Sequence, residues 1–296
     1  MFLARSTWPQ VRTYFETHDT VLIGVGSIEC HGRHNPLGTD TMAPDHLMKL
    51  IDQGYPDVLI APTQPYGATD DLLGFPGTLS IGIQGLIDVM SRITEQLFGY
   101  GARRFVFVNG HGGNVKSLGT VCMELNRRGC LAALVNWWKV APQLNPEWGG
   151  GHGDGMETSA NLAIDPDSVD MTACAPEGLR NDMGLSADDE AFEAVGGPFT
   201  TTGWTTVEFE GVSVDFPRRL DRFSSNGWLG YGLGVVPEGA SAERGRAMLE
   251  GTADYLVRFV KALEATALPG PLDDARELRR ADAHIAHLQG GQGGQA

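Results

Sequence analysis

The chain has 296 residues, enough for one large α/β domain or two small ones. Its 42% hydrophobic content can bury a sizeable core, which excludes a disordered body. With 22 basic against 37 acidic residues the formal net charge is −15, which argues against nucleic acid and anionic membrane surfaces as partners and suits a metal cation better. Cys30, Cys122, Cys130 and Cys174 form no CxxC pair and no dense framework, so reduced thiols in a cytoplasm are expected. The segment from Met1 to Asp19 lacks the apolar stretch of a signal peptide, and no run approaches a membrane span.

In chain order, Thr7-Trp8-Pro9 reads as a helix start, with the helix running to about His18. Val21 to Gly26 is a short apolar run ending in glycine, the mark of a buried parallel strand. Asp57 to Ala61, Arg104 to Asn109 and Cys130 to Asn136 read as three more strands. Between them, Pro44 to Gln53, Gln84 to Gly99 and Val115 to Arg128 carry apolar residues at helical spacing. The alternation predicts an α/β fold: a three-layer α/β/α sandwich with a mainly parallel sheet. Asp165 to Gly239 is rich in Gly, Pro, Thr and Asp; loops, a hairpin near Thr205–Phe209 and an insertion over the site are expected. Ala240 to Leu263 reads as a long amphipathic helix. Residues 1–268 are read as a single domain, and 269–296 as a charged, then low-complexity, disordered tail.

The densest chemical signal runs from Gly26 to Asp40, directly after the first strand, where α/β folds place ligands. It holds Glu29, His31, His34 and Asp40 among glycines. Carboxylate and imidazole together suit zinc, manganese or iron better than calcium. The plain alternative is a polar turn whose histidines face water. A second signal, Asn109-Gly110-His111-Gly112-Gly113-Asn114, follows the third strand. Here a metal competes with a phosphate loop, but neither Walker A nor GxGxxG is present. The third is Gly151-His152-Gly153-Asp154-Gly155-Met156-Glu157-Thr158-Ser159, with a helix beginning near Gly155 or Met156. Glu157 and Asp154 are candidate ligands there, or they only cap that helix.

In order and spacing these segments resemble the creatininase family over roughly residues 7 to 265. The matching motifs are Glu29-x-His31-Gly-x-His34, Thr39-Asp40, Asn109-Gly110-His111 and His152…Glu157-Thr158-Ser159, with Gly74-Phe75-Pro76-Gly77-Thr78 as a further match. The resemblance implies two divalent metals per chain. One would take Glu29, Asp40 and His111; the other would take His31, Asp40 and a glutamate, with Asp40 bridging. Creatinine-hydrolysing members carry Tyr-Glu after Asn-Gly-His, where this chain has Gly112 and Gly113. Glu157 is therefore assigned the second glutamate's place. Phe75, Trp138 and Trp148 are expected at the substrate, together with Gly112 and Gly113.

The mechanism implied is attack on a carbonyl by metal-activated hydroxide, with His152 as general acid and base and His34 contacting substrate or supporting the site. The expected substrate is a small cyclic amide. Ring opening of an oxidised cyclic polyol or inosose is the first alternative, and metal binding without catalysis the second. The resemblance also implies a homo-oligomer, a hexamer. Leu72, Leu73, Phe75, Trp204 and Trp228, in loop-like stretches, are candidate exposed apolar groups for a partner.

Overall fold

A computed structural model describes residues 1–174, 197–202, 205–219, 221, 227 and 239–272. Trp204, Trp228 and the tail beyond 272 lie outside them, as does most of the expected insertion.

The first helix, α1 (Trp8–Thr17), leads into β1 (Thr20–Val25). Then follow α2 (Thr39–Gly54), β2 (Leu59–Gln64), α3 (Gly82–Tyr100), β3 (Arg104–Asn109), α4 (Val115–Arg127) and β4 (Leu131–Asn136). The four strands make one parallel sheet in the order β2-β1-β3-β4. Side chains alternate across the pleat, so each strand feeds two cores. Leu22, Ile60, Val106, Val108 and Val135 face one way, against α2 and three later helices: α5 (Trp137–Leu144), α6 (Gly155–Ile164) and α7 (Ala242–Ala265). Val21, Ile23, Leu59, Phe105 and Phe107 face the other way, against α1, α3 and α4. This is the expected three-layer arrangement.

The expected hairpin is present. A small antiparallel sheet holds β5 (Thr200–Thr201), β6 (Thr206–Phe209) and β7 (Val212–Asp215), with Phe209 opposite Val212. Among the described residues no helix is long and apolar enough to cross a membrane. The four cysteines are buried and no disulfide joins them.

Two boundaries differ from the sequence reading in ways that matter. The second helix starts at Thr39, five residues before Pro44, so Pro44 sits inside it and Asp40 in its first turn. Apolar periodicity becomes visible only at Leu47, because the first turn is polar and faces the site. Pro44 has no N–H to offer the Asp40 carbonyl. Gly110 packs onto that oxygen so closely that a Cβ would lie 1.9 Å from it. Helix α5 begins directly after β4. It turns Trp137 fully into the core and leaves Trp138 partly exposed. Leu72, expected as exposed, is only 2% exposed because a short helical turn folds it inward; Leu73 is exposed.

Trp137 is the largest fully buried side chain. Trp137→Ala should therefore cost about 3–5 kcal/mol of stability, through lost transfer energy and the cavity left behind. The midpoint of urea unfolding measures it. An unchanged midpoint would contradict the packing described here.

Candidate metal centre

The site lies beyond the carboxyl ends of the strands, where parallel α/β sheets hold their ligands. Glu29 and His31 come from the loop after β1, and Asp40 from the first turn of α2. His111 follows β3. His152 sits on a turn before α6, and Glu157 in the first turn of that helix. The apex is Asp40. Its Oδ1 lies 3.1 Å from His31 Nε2, and its Oδ2 lies 3.0 Å from His111 Nδ1. One carboxylate thus faces two imidazoles on its two sides. Glu29 Oε1 is 3.2 Å from His111 Nδ1, and Glu157 Oε2 is 3.6 Å from His31 Nε2.

Other polar groups fix which ring nitrogens face the cluster. His31 Nδ1 is 3.1 Å from the Glu29 carbonyl, so Nε2 is the inward nitrogen. His111 Nε2 is 3.0 Å from the Ala68 carbonyl, so Nδ1 points in. Ser27 donates to Asp40 Oδ2 at 2.9 Å, and the Gly153 N–H donates to Glu157 Oε2 at 2.6 Å. These partners set orientation and basicity as outer-shell groups do in metalloproteins.

Asn109 and Asn114 explain the glycine-rich segment after β3. Asn109 accepts from the His111 N–H and donates to the His111 carbonyl. Asn114 accepts from the Ala68 N–H, which sets the Ala68 carbonyl against His111, and donates to the Gly26 carbonyl. At Gly113 a Cβ would lie 2.2 Å from the Ala68 oxygen. The backbone here is drawn in so closely that a side chain does not fit. Ser27, Asn109, Asn114 and the Ala68 carbonyl were not assigned roles from sequence. The asparagines flanking Gly-His-Gly-Gly are the one signal that pointed to them.

The donor set fits divalent metals. Two trios, Glu29–Asp40–His111 and His31–Asp40–Glu157, each bring their ligand atoms within 4.8 Å of one another. These are the two sets that the resemblance implies. Glu29 is fully buried, and the groups beside its carboxylate are histidine nitrogens: His111 Nδ1 at 3.2 Å, His152 Nδ1 at 3.6 Å and His31 Nε2 at 3.9 Å. A carboxylate so buried is costly unless a cation completes it. A third trio, Glu29–His31–His152, meets the same limit.

The charge pattern supports the fit. Burial disfavours ionisation of Asp40, but the His31 and His111 charges outweigh it and hold the carboxyl well below the usual range. Glu29 is lowered in the same way, chiefly by His111 against burial. Burial works against charge on His31 too, yet Asp40 and Glu157 push it up to about 10. His111 is likewise raised against burial, by Glu29 and Asp40. Two imidazolium protons thus do the work that cations would do. Burial pushes Glu157 up to about 8 despite His31. His152 is pulled down to about 4, by burial and then by the His31 charge. Its ring stacks on His31 with centroids 4.2 Å apart. It is the neutral imidazole of the group.

Asp154 belongs to none of these trios. It caps α6, accepting from the Met156 N–H at 2.9 Å, and it also accepts from Gly151.

The cluster forms the floor of an open cleft of about 670 Å³. Trp138, Lys139 and Pro142 of α5 line one wall, and Thr69, Asp71 and Leu72 line another; Gly112, Gly113, His152 and Met156 also face it. Trp138 and the two glycines, candidate substrate contacts, thus line the cleft. Three other candidate residues do not line the cleft. His34 is buried away from the cleft; its Nε2 is 3.1 Å from Thr158 Oγ1, in a polar network with Asn35 beneath α6. Trp148 does not line the cleft, because its ring packs over Gly251 of α7, where a Cβ would lie 2.5 Å from it. Phe75 is half-buried in a turn beside the cleft and does not line it.

The sequence profile of the Creatininase family, described as creatinine amidohydrolase, matches residues 4–260. The mycofactocin precursor peptide peptidase of Mycolicibacterium smegmatis is 39% identical over 154 residues, 50% of this chain and 59% of that protein. The chain spans between 44% and 62% of the length of the mycofactocin relatives it matches. The creatinine amidohydrolase of Pseudomonas putida is 30% identical over 194 residues, covering 58% and 74%. The 3-dehydro-scyllo-inosose hydrolase of Thermotoga maritima is 22% identical over 294 residues, covering 94% and 88%. Among solved structures, a manganese creatininase superposes with a TM-score of 0.64 at 25% identity, over 90% of this chain and 99% of the other. A zinc form of a creatininase variant does so with a TM-score of 0.64 at 24%, over 90% and 98%. With a family profile spanning nearly the whole folded body, and with that family's motifs gathered at one end of the sheet, the chain belongs to the creatininase family.

Proposed function

We propose that this protein is a two-metal hydrolase that cleaves the amide bond of a small cyclic or peptide-like substrate. The observation that carries the reading is Asp40, whose two oxygens face two separate ligand trios on the cleft floor. The relatives named for creatinine and for a precursor peptide both suggest C–N cleavage. The cleft volume falls in the range of roughly 300–1,000 Å³ typical of sites for drug-sized ligands. Gly112, beside which a Cβ would meet nothing within 4 Å, leaves that space open. Ring opening of an inosose-type ketone is the second reading, and the Thermotoga relative favours it.

Glu29, Asp40 and His111 would hold one metal, and His31, Asp40 and Glu157 the other. When bound, such a pair supplies hydroxide at neutral pH and polarises the scissile carbonyl. His152 is neutral at pH 7 and hangs over the same floor; among the described residues its Nε2 has no partner. We assign it to take the proton released on attack and pass it to the leaving nitrogen. Gly112 and Gly113 begin the helical run into α4, where backbone N–H groups lack intrahelical partners. We assign those amides to the developing oxyanion. Trp138 offers a flat face against which a planar substrate packs. Residues 1–268 act as one unit in this reading, in the cytoplasm, and a hexamer remains part of the proposal.

The purified chain should hydrolyse members of a panel of lactams and short peptides, lose that activity to a chelator and regain it with Mn²⁺ or Zn²⁺. Turnover of cyclic ketones alone would replace the amide reading with the second one. Metal binding with no turnover of any class would leave a binding protein. Within the site, Asp40→Ala should lose both ions, because it touches both trios; full occupancy by elemental analysis would refute the assignment. His152→Ala should keep its metal while kcat falls by roughly 10²–10⁴-fold. Metal lost together with activity would make His152 a ligand. Glu157→Gln should keep the first ion and weaken the second, whereas Asp154→Asn should bind both. Ion counts reversed between these two variants would exchange their roles.

A further inference from the structure

The stretch that carries His152 has no regular structure between Gly149 and Asp154, and four of its six residues are glycine. Glycine backbone is the most expensive to order. Yet this stretch must hold His152 over His31 and deliver the first turn of α6, with Glu157, to the cluster. The restraint comes from Arg244 on α7. Its Nε and Nη2 donate to the Glu147 carbonyl at 3.2 and 2.8 Å, and Nη2 also donates to the Gly149 carbonyl at 2.9 Å. Nη1 donates to the Gly155 carbonyl at 2.7 Å and to Ser159 Oγ at 3.3 Å. All three guanidinium nitrogens are engaged, and none of these acceptors is a carboxylate. The contacts tie down the backbone just before and just after the glycine stretch. From within, Asp154 holds the Gly151 and Met156 N–H groups.

Local sequence brings Arg244 into reach. Ser241 caps α7 by accepting from the Arg244 N–H at 3.2 Å, and its own N–H donates to Ser159 Oγ at 3.2 Å. Gly245 lets α7 close on α6, since a Cβ there would lie 1.9 Å from the Ser159 carbonyl. Arg244 itself does not line the cleft.

We infer that Arg244 is a positioning residue for the reaction: its guanidinium sets the glycine stretch so that His152 and Glu157 both reach the His31 side of the metal centre. The inference rests on the two-metal reading. It implies a split that general loss of structure would not produce. Glu29, Asp40 and His111 hang on β1, α2 and β3, which Arg244 does not touch, so the first metal should be indifferent to it. Helix α7 is held to the core by Met248, Leu249, Leu256 and Val260, contacts in which the guanidinium takes no part.

The test is calorimetric titration of the full chain with Mn²⁺, as wild type, R244A and R244K, with amide hydrogen exchange followed over residues 147–157. In R244A the first ion should bind as in wild type, and the second roughly 10–100-fold more weakly, the range for outer-shell partners. Exchange over 149–155 should quicken. R244K should fall between the two, because an ammonium cannot reproduce the planar fork of donors. Equal weakening of both ions would show a merely structural role and overturn the inference, as would unchanged binding of both. Should R244A not fold, R244K makes the same comparison, and selective loss of the second ion supports the assignment. A wild-type chain that takes fewer than two ions overturns the two-metal reading and the assignment with it. Two ions in wild type without a split in the variants overturn the assignment alone.

Discussion

Three carboxylates are buried together, Asp40 between Glu29 on one side and Glu157 on the other, and much of the surrounding structure follows from that cost. Like charges removed from water repel strongly and ionise together only if cations lie between them. Here imidazoles are interleaved with the acids, so that Asp40 sees His31 on one side and His111 on the other. The same alternation is what a pair of divalent ions requires. Helix α2 contributes by placing Asp40 in its first turn, where the helix dipole favours an anion.

Holding six side chains from four segments in such register requires a stiff backbone around them. The parallel sheet provides the base, because β1 and β3 are hydrogen-bonded neighbours whose ends carry Glu29, His31 and His111. Asparagines do the rest. Asn109 and Asn114 bond to the backbone of Gly26, Ala68 and His111, and so tie together three strand-end loops. Glycines at 110 and 113 let those loops approach more closely than any side chain allows. The far side of the site lacks a sheet beneath it. There the helix-to-helix contact of α6 with α7 and the Arg244 clamp take its place.

The differences from creatinine-hydrolysing relatives are also physical. A Cβ at Gly113 would strike the Ala68 carbonyl, so no ligand can come from that position in this backbone. A further carboxylate, that of Glu157, reaches the cluster from α6. Gly112 leaves open space beside the metal floor. The cleft over these residues is open and is walled by Trp138, Pro142 and Leu72.

Most of the strand and helix order and the parallel sheet were legible in the sequence, as were the five residues proposed as ligands, which lie together in the fold. Short apolar runs ending in glycine and closely spaced Glu, His and Asp are local patterns, and local patterns survive in one dimension. What local pattern could not tell was direction. His34 and His31 lie three residues apart in the same loop, yet His31 points into the cluster and His34 into a buried network with Thr158. Trp138 lines the cleft while Trp148 packs on α7, a distinction set by the unforeseen helix α5 and by the space over Gly251. In the sequence Glu157 was preferred to Asp154, but the direction of Asp154 on its glycine-flanked loop was unconstrained. Only the folded helix shows that Asp154 is consumed by capping while Glu157 is turned towards His31. Residue types and spacing determined that side chains able to hold a metal would gather after the first and third strands. Which side chains enter it was decided by tertiary packing, because a side chain's direction depends on neighbours that are distant in the chain.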